Sequence, residues 1–173
     1  MERVGGRLVY RGSIFAVRED MFRYEDGGTA ERQLVLSPPA SAVVAHDGET
    51  LFMVRQPREA VREDALLELP AGKVDENETP LEAAQRELAE EIGREAEDWR
   101  HLHSFYATPG FATEELHLFL ATGLRRVGTN PDQGEKIKIV EVPLDQLQAT
   151  IDDCHDAKSL VGLLLLREIL RGG

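Results

Sequence analysis

The sequence predicts a layered domain of α/β or α+β class. Short β-rich runs alternate with helical runs along the chain. A helix over residues 80–92 carries start and stop signals at both ends, and a second, over residues 156–171, is apolar for most of its length. The chain has 173 residues. That is about one domain at the usual roughly 100–200 residues each, and long enough to bury a core without staples.

The first part reads as β. Residues 8–10 and 13–24 are rich in aromatic and β-branched side chains. Asp26-Gly27-Gly28 is a turn signal, and residues 32–36 form the next run. Pro38-Pro39 marks a break, so residues 1–37 are expected to form a small N-terminal β arm and residues 38–173 the main domain. The main domain opens with a hairpin, residues 40–46 and 50–55, around Asp47-Gly48. Residues 57–66 are charged and irregular and are expected to be a loop. Residues 66–70 suggest a short strand.

In the helix at 80–92, Thr79 is a good N-cap, Pro80 takes the first helical position and Glu82 can close a capping box. Gly93 is placed to end it in the left-handed conformation. Leu81, Ala84, Leu88 and Ile92 fall on one stripe, expected to dock on a sheet. Residues 99–107 and 115–122 return to strand, and 124–134 read as a mobile loop. Residues 135–142 are a strand with Ile137 and Ile139 alternating with outward charges. Residues 144–150 form a short helix, and Asp156 caps the long last one.

The net charge is −12, with 20 basic and 32 acidic residues. So acidic a chain is a poor partner for nucleic acid or an anionic membrane, both of which need clustered Lys and Arg. The single cysteine, Cys154, excludes an internal disulfide and a Cys-rich zinc site. No apolar leader opens the sequence, and the longest apolar run, residues 160–166, is too short for a bilayer. A cytoplasmic protein is expected.

The acidity is concentrated. Residues 68–98 hold 11 acidic and three basic side chains, two-thirds of the net excess. Within this window Glu87, Glu90 and Glu91 stand at i, i+3 and i+4, so they share a helix face and repel one another. A hard divalent cation, Mg²⁺ or Mn²⁺, relieves that repulsion, because such ions prefer carboxylate oxygens. Arg86 lies i, i+4 from Glu90 and can hold it in place. Leu69-Pro70-Ala71-Gly72-Lys73 is a sharp turn able to offer a backbone carbonyl to a metal.

The stretch from Gly72 through Glu78 and Arg86-Glu87-Leu88 to Glu90-Glu91-Ile92-Gly93 resembles the Nudix box, the signature of hydrolases acting on nucleoside diphosphates linked to another moiety. It departs in one place: the last position, usually aliphatic, is Arg94, which bears on packing at the helix end. The resemblance implies an α/β fold, a Nudix-type α/β/α sandwich with mixed sheet, plus the small N-terminal β arm. It implies that Glu87, Glu90, Glu91 and the carbonyl of Ala71 hold Mg²⁺ or Mn²⁺. It further implies that Arg86 orients the carboxylates, that Glu78 braces the loop-helix turn, and that water attacks a pyrophosphate.

Other segments are similar to the ADP-ribose pyrophosphatases. These are residues 54–58, 67–72, 104–115 with Pro109 16 residues beyond Gly93, and 156–160. The implied reaction is hydrolysis of ADP-ribose to AMP and ribose 5-phosphate. The alternatives are other nucleoside diphosphate derivatives (sugar nucleotides, FAD, dinucleoside polyphosphates) or a silent ligand-sensing Nudix domain. In that subfamily the catalytic base sits on the loop before the last main strand, which makes Glu135 the first candidate and Asp132 the second. The implied assembly is a homodimer with the arm exchanged. Arg32, Arg55, Arg58 and Glu68, together with Gly110, Phe111 and Glu114 of the substrate loop, become substrate-binding candidates, and Phe15 or Phe22 could stack on adenine. His101 and His103 are expected on one side of a strand as surface or pocket-wall residues, and Cys154-His155 as the polar start of the last helix.

Overall fold

The computed structural model of the chain describes residues 1–128 and 136–172. Strands β1 (Glu2–Arg11), β2 (Ala16–Arg23) and β3 (Thr29–Leu36) form an antiparallel sheet of their own in that order. Asp20, buried on β2, accepts from Arg3 of β1 and from Arg18, each at 3.0 Å, and so ties the two strands. β1 is exposed along its whole length.

The main sheet contains β4 (Ala40–His46), β5 (Thr50–Arg58), β6 (Glu63–Glu68), β7 (Ala71–Lys73), β8 (Arg94–Tyr106), β9 (Glu115–Arg126) and β10 (Lys138–Pro143). Its order is β10-β5-β4-β9-β8, with β6 on β5 and β7 on β4. Among the described strands of this sheet only β4 and β9 run parallel, so the sheet is mixed. The β4–β5 hairpin pairs only at Ala45↔Phe52 and His46↔Leu51. Beyond that the strands part, and β6 and β7 fill the gap. The Val43 amide donates to the Pro70 carbonyl at 2.9 Å, which fixes the wedge in place.

Successive strand residues point to opposite faces. Val43, Ala45, Phe52, Val54, Phe119 and Ala121 pack with Ala84, Leu88 and Ile92 of α1 (Pro80–Ile92). On the other face Ala42, Val44, Leu51, Met53, Leu118 and Leu120 pack with α2 (Leu147–Asp152) and α3 (Ala157–Gly172). The result is an α/β/α sandwich with a mixed sheet, as expected. Among the described residues no helix is long and apolar enough to cross a membrane.

The structure corrects several local expectations. Residues 57–66 are not a loop: β5 runs to Arg58 and turns into β6, with Arg62 in the left-handed region at φ 59. The turn contains no glycine, and its outward charges hide the pairing. β9 continues to Arg126, beyond the expected loop start at 124, because it stays paired with β8 as far as Arg94. Leu81 is 36% exposed and drops out of the apolar stripe, while Ala83 is buried in its stead. The helix therefore buries two adjacent i, i+4 ladders, Ala84-Leu88-Ile92 and Ala83-Glu87-Glu91. Ile139, expected to face inward, is exposed on edge strand β10, where Val140 and Val142 face the core instead.

Candidate active site

α1 begins and ends where its sequence signals place it. The Glu82 amide donates to Thr79 Oγ1 at 3.3 Å, and the Thr79 amide donates to Glu82 Oε2 at 2.7 Å. Gly93 takes φ 66 and its amide donates to Ala89. Arg94, just beyond, lays its guanidinium 3.9 Å from the Phe52 ring centroid. A cation–π contact thus packs the position that is usually aliphatic.

The wedge β7 brings Gly72 against α1. A Cβ built on Gly72 would lie 1.7 Å from Glu87 Oε1, so only glycine fits while that carboxylate is in place. One residue earlier, the Ala71 amide donates to Glu91 Oε2 at 3.0 Å. Glu87 and Glu91 are therefore buried, at 9% and 5% exposure, and do not lie on a solvated face. The Glu90 side chain is more open, at 30%.

Arg86 is the hub of this corner. Its Nε and Nη2 donate to the two oxygens of Glu78 at 2.9 and 3.0 Å. Its Nη1 donates to Glu87 Oε1 at 2.6 Å and to Glu90 Oε2 at 3.1 Å, and Nη2 also reaches the Lys73 carbonyl at 2.9 Å. The bonds to Glu78 hold the guanidinium charged. In return Arg86 holds the Glu78 carboxyl below the usual carboxylate range. Glu78 also accepts from the Asp75 amide at 3.2 Å, so it braces the loop against the helix. Among the described residues no three His, Cys, Asp or Glu side chains already converge on one cation position.

A cleft of about 370 Å³ opens beside this corner, lined by Arg58, Ala71, Gly72, Lys73, Glu114 and Lys158. Arg58 forks onto the buried Glu68, Nε to Oε1 at 2.6 Å and Nη2 to Oε2 at 2.8 Å. Lys158 donates to the same Oε2 and, at 3.0 Å, to Asp156 Oδ2. Burial pushes the Glu68 carboxyl up, but the bonds and charges of Arg58 and Lys158 outweigh it and keep Glu68 below its ordinary value. Glu114 accepts from Ser37 Oγ at 3.5 Å.

Of the residues singled out from sequence, the fold thus gathers Ala71, Glu87, Glu90, Glu91 and Arg86 at one corner, with Arg58, Glu68 and Glu114 at the adjoining cleft. Gly110 and Phe111 lie on the loop between β8 and β9. The Phe111 carbonyl accepts from the Val35 amide at 2.8 Å, docking the loop on the end of β3, and the Phe111 ring is exposed. Arg32 lies on β3, bonded to the Glu31 carbonyl and Tyr24 Oη, and is not among the residues that line the cleft. Arg55 lines a different cleft, of about 470 Å³, with Leu67, Val140, Asp153 and His155, and donates to the Ala65 carbonyl at 2.9 Å. Phe15 is exposed beside Tyr10 at the β1–β2 turn, and Phe22 is half-buried on β2. Glu135 and Asp132 lie outside the described residues.

His101 and His103 do not share one side of β8. A bulge between them sets His101 opposite Phe119 and His103 opposite Leu118, which face different layers. Cys154 and His155 do lie at the polar start of α3. Sequence reasoning left Lys73, Asp156, Lys158 and Ser159 out of the site. Lys158 meets Glu68 across 90 residues, and no local pattern signals such a pairing.

The mixed sandwich with an acidic helix under a glycine turn defines a class of protein, and the comparisons agree with it. The chain belongs to the NUDIX family: the NUDIX domain model matches residues 36–161, starting at the last residue of β3. The chain is 34% identical to a methanol dehydrogenase activator of Bacillus methanolicus over 170 residues, 94% of this chain and 91% of that protein. It is 32% identical to an ADP-ribose pyrophosphatase of Bacillus subtilis (strain 168), also over 170 residues, 94% of this chain and 91% of that protein. Its fold matches the crystal structure of an ADP compounds hydrolase with a TM-score of 0.88 at 24% identity, covering 99% of this chain and 94% of that one.

Proposed function

We propose that the protein is a divalent-metal-dependent pyrophosphohydrolase that splits ADP-ribose into AMP and ribose 5-phosphate. Similarity alone does not choose between the names of its relatives, since 34% and 32% identity are nearly equal. The observation that carries the reading is the acidic turn of α1, with Glu87 under Gly72 and Glu91 on the Ala71 amide, next to a cleft that holds Arg58. A protein that only senses a ligand has no need of three crowded carboxylates, two of them buried.

The donors fit a hard cation by their chemistry. Glu87, Glu90 and Glu91 offer only oxygen, and like charges within one helical turn are relieved by a divalent ion. The Ala71 amide turns away from β4 toward Glu91, and in a strand the carbonyl of a residue lies on the same edge as its amide. These four residues would hold Mg²⁺ or Mn²⁺, which neutralises phosphate oxygens and acidifies the attacking water. Arg86 keeps Glu87 and Glu90 oriented. Arg58, locked by Glu68, takes a phosphate. Glu114, Gly110 and Phe111 border the leaving half of the substrate. The water gives its proton to a carboxylate, for which Glu90 and Glu135 are the candidates.

Neither Arg32 nor Arg55 lines this cleft in its own chain, and Arg32, on the three-stranded sheet, serves substrate in a homodimer where that sheet reaches the partner. The exposed Leu8, Val9, Tyr10 and Phe15 support such an assembly. The acidic charge and single cysteine support a cytoplasmic enzyme without a nucleic-acid or membrane partner. A panel of ADP-ribose, sugar nucleotides, FAD and dinucleoside polyphosphates at equal concentration with Mg²⁺ tests the substrate. ADP-ribose is expected to give the highest kcat/KM, and preference for a sugar nucleotide contradicts that choice.

A further inference from the structure

The start of α3 is bonded to the substrate cleft by a closed ring of polar contacts. The Leu69 amide donates to Ser159 Oγ at 2.7 Å. Ser159 Oγ donates to Asp156 Oδ2 at 2.5 Å, and the Ser159 amide reaches the same oxygen at 3.0 Å. Lys158 bonds that oxygen and also Glu68, the residue before Leu69. Ser159 and Glu68 are buried. The ring therefore fixes the backbone just ahead of Pro70-Ala71-Gly72 and, through Glu68, the guanidinium of Arg58.

Exposure separates the two cations. Arg58 retains 42% of its side-chain exposure and Lys158 only 14%. Arg58 spends Nε and Nη2 on Glu68, so its Nη1 edge is the one turned from that carboxylate. With Lys158 bonded on its far side, the Glu68 carboxylate is held from two directions, so both its oxygens stay fixed for the Arg58 fork and the free Nη1 edge keeps one orientation.

Resting on the pyrophosphohydrolase reading above, we propose that Lys158 is a positioning residue for Arg58. It shares Glu68 from behind and so holds the Arg58 guanidinium aligned for one phosphate of the substrate.

The test is a double-mutant cycle with two readouts, steady-state hydrolysis of ADP-ribose with Mg²⁺ and calorimetric binding of AMP. Lys158→Met is expected to raise KM and the AMP dissociation constant about tenfold with kcat within about threefold, and Lys158→Arg to recover most of the loss. In an Arg58→Ala background, Lys158→Met should add less than about twofold to either constant. If Lys158→Met does not fold, Lys158→Gln, which keeps a donor toward Glu68, takes its place in the same cycle. Equal factors in both backgrounds, or unchanged constants in the wild-type background, overturn the positioning role and leave the pyrophosphohydrolase reading intact. A wild-type protein that neither releases AMP from ADP-ribose nor binds AMP overturns both.

Discussion

Gly72 and Glu87 occupy adjoining space so closely that a single methyl group on residue 72 would overlap the carboxylate, 1.7 Å from Oε1. A β-wedge supplies one residue and a helix the other, so the contact sets how far β7 stands from α1. Gly72→Ala must push Glu87 out of place or lift the wedge. Misplacing a reacting constellation by about 1 Å costs roughly 100-fold in rate. Gly72→Ala is expected to lower kcat by about that factor, with a stability loss of about 1–3 kcal/mol from overpacking. Turnover together with urea unfolding checks both, and full activity in a folded variant contradicts the close-contact role.

Glu91→Gln removes a charge but keeps the shape and leaves an oxygen for the Ala71 amide. The fold should persist, with an unchanged far-UV circular dichroism spectrum, while kcat drops by at least about 100-fold. Unchanged turnover contradicts Glu91 as a metal ligand.

Glu78 gives the protein a pH signature. Its carboxyl lies below the ordinary glutamate value in the folded state because Arg86 bonds it. A depressed carboxyl contributes stability above the unfolded value, and that contribution is lost as pH falls through the folded value. The melting temperature of the wild-type protein should therefore fall more steeply below about pH 4.5 than that of Arg86→Ala, which lacks the partner. Parallel curves for the two proteins contradict this role for the pair.

The exposed β1 sheet makes the mass in solution informative. One chain weighs 19.3 kDa, and a homodimer predicts light scattering at about 39 kDa at micromolar concentration. A mass of one chain contradicts the exchange of arms and the role of Arg32 in a partner's site.

Much of the fold was legible because its signals are local. Thr79, Pro80, Glu82 and Gly93 mark the ends of α1 through bonds within a few residues, and the structure makes those bonds. Asp47-Gly48 likewise marks the β4–β5 hairpin. What escaped is set by partners distant in sequence. Arg62 turns β5 into β6 without glycine because the strands on either side pair. Glu87, Glu90 and Glu91 read as one acidic helix face, but that β7 covers Glu87 and Glu91 and leaves Glu90 more open follows only from the tertiary contacts of Gly72 and Ala71. Lys158 and Ser159 looked like part of a helix start, and their partners Glu68 and Leu69 come from the far side of the chain. The bulge that parts His101 from His103 has no mark in the residues around it.

Release of AMP from ADP-ribose is the most direct test of the account. The purified protein is mixed with ADP-ribose and Mg²⁺, and the products are separated by ion-exchange chromatography, with a chelator-treated sample beside it. Equal amounts of AMP and ribose 5-phosphate are expected, with no product in the chelator-treated sample and recovery when Mg²⁺ or Mn²⁺ is restored. A folded protein that leaves ADP-ribose intact with either metal contradicts the account.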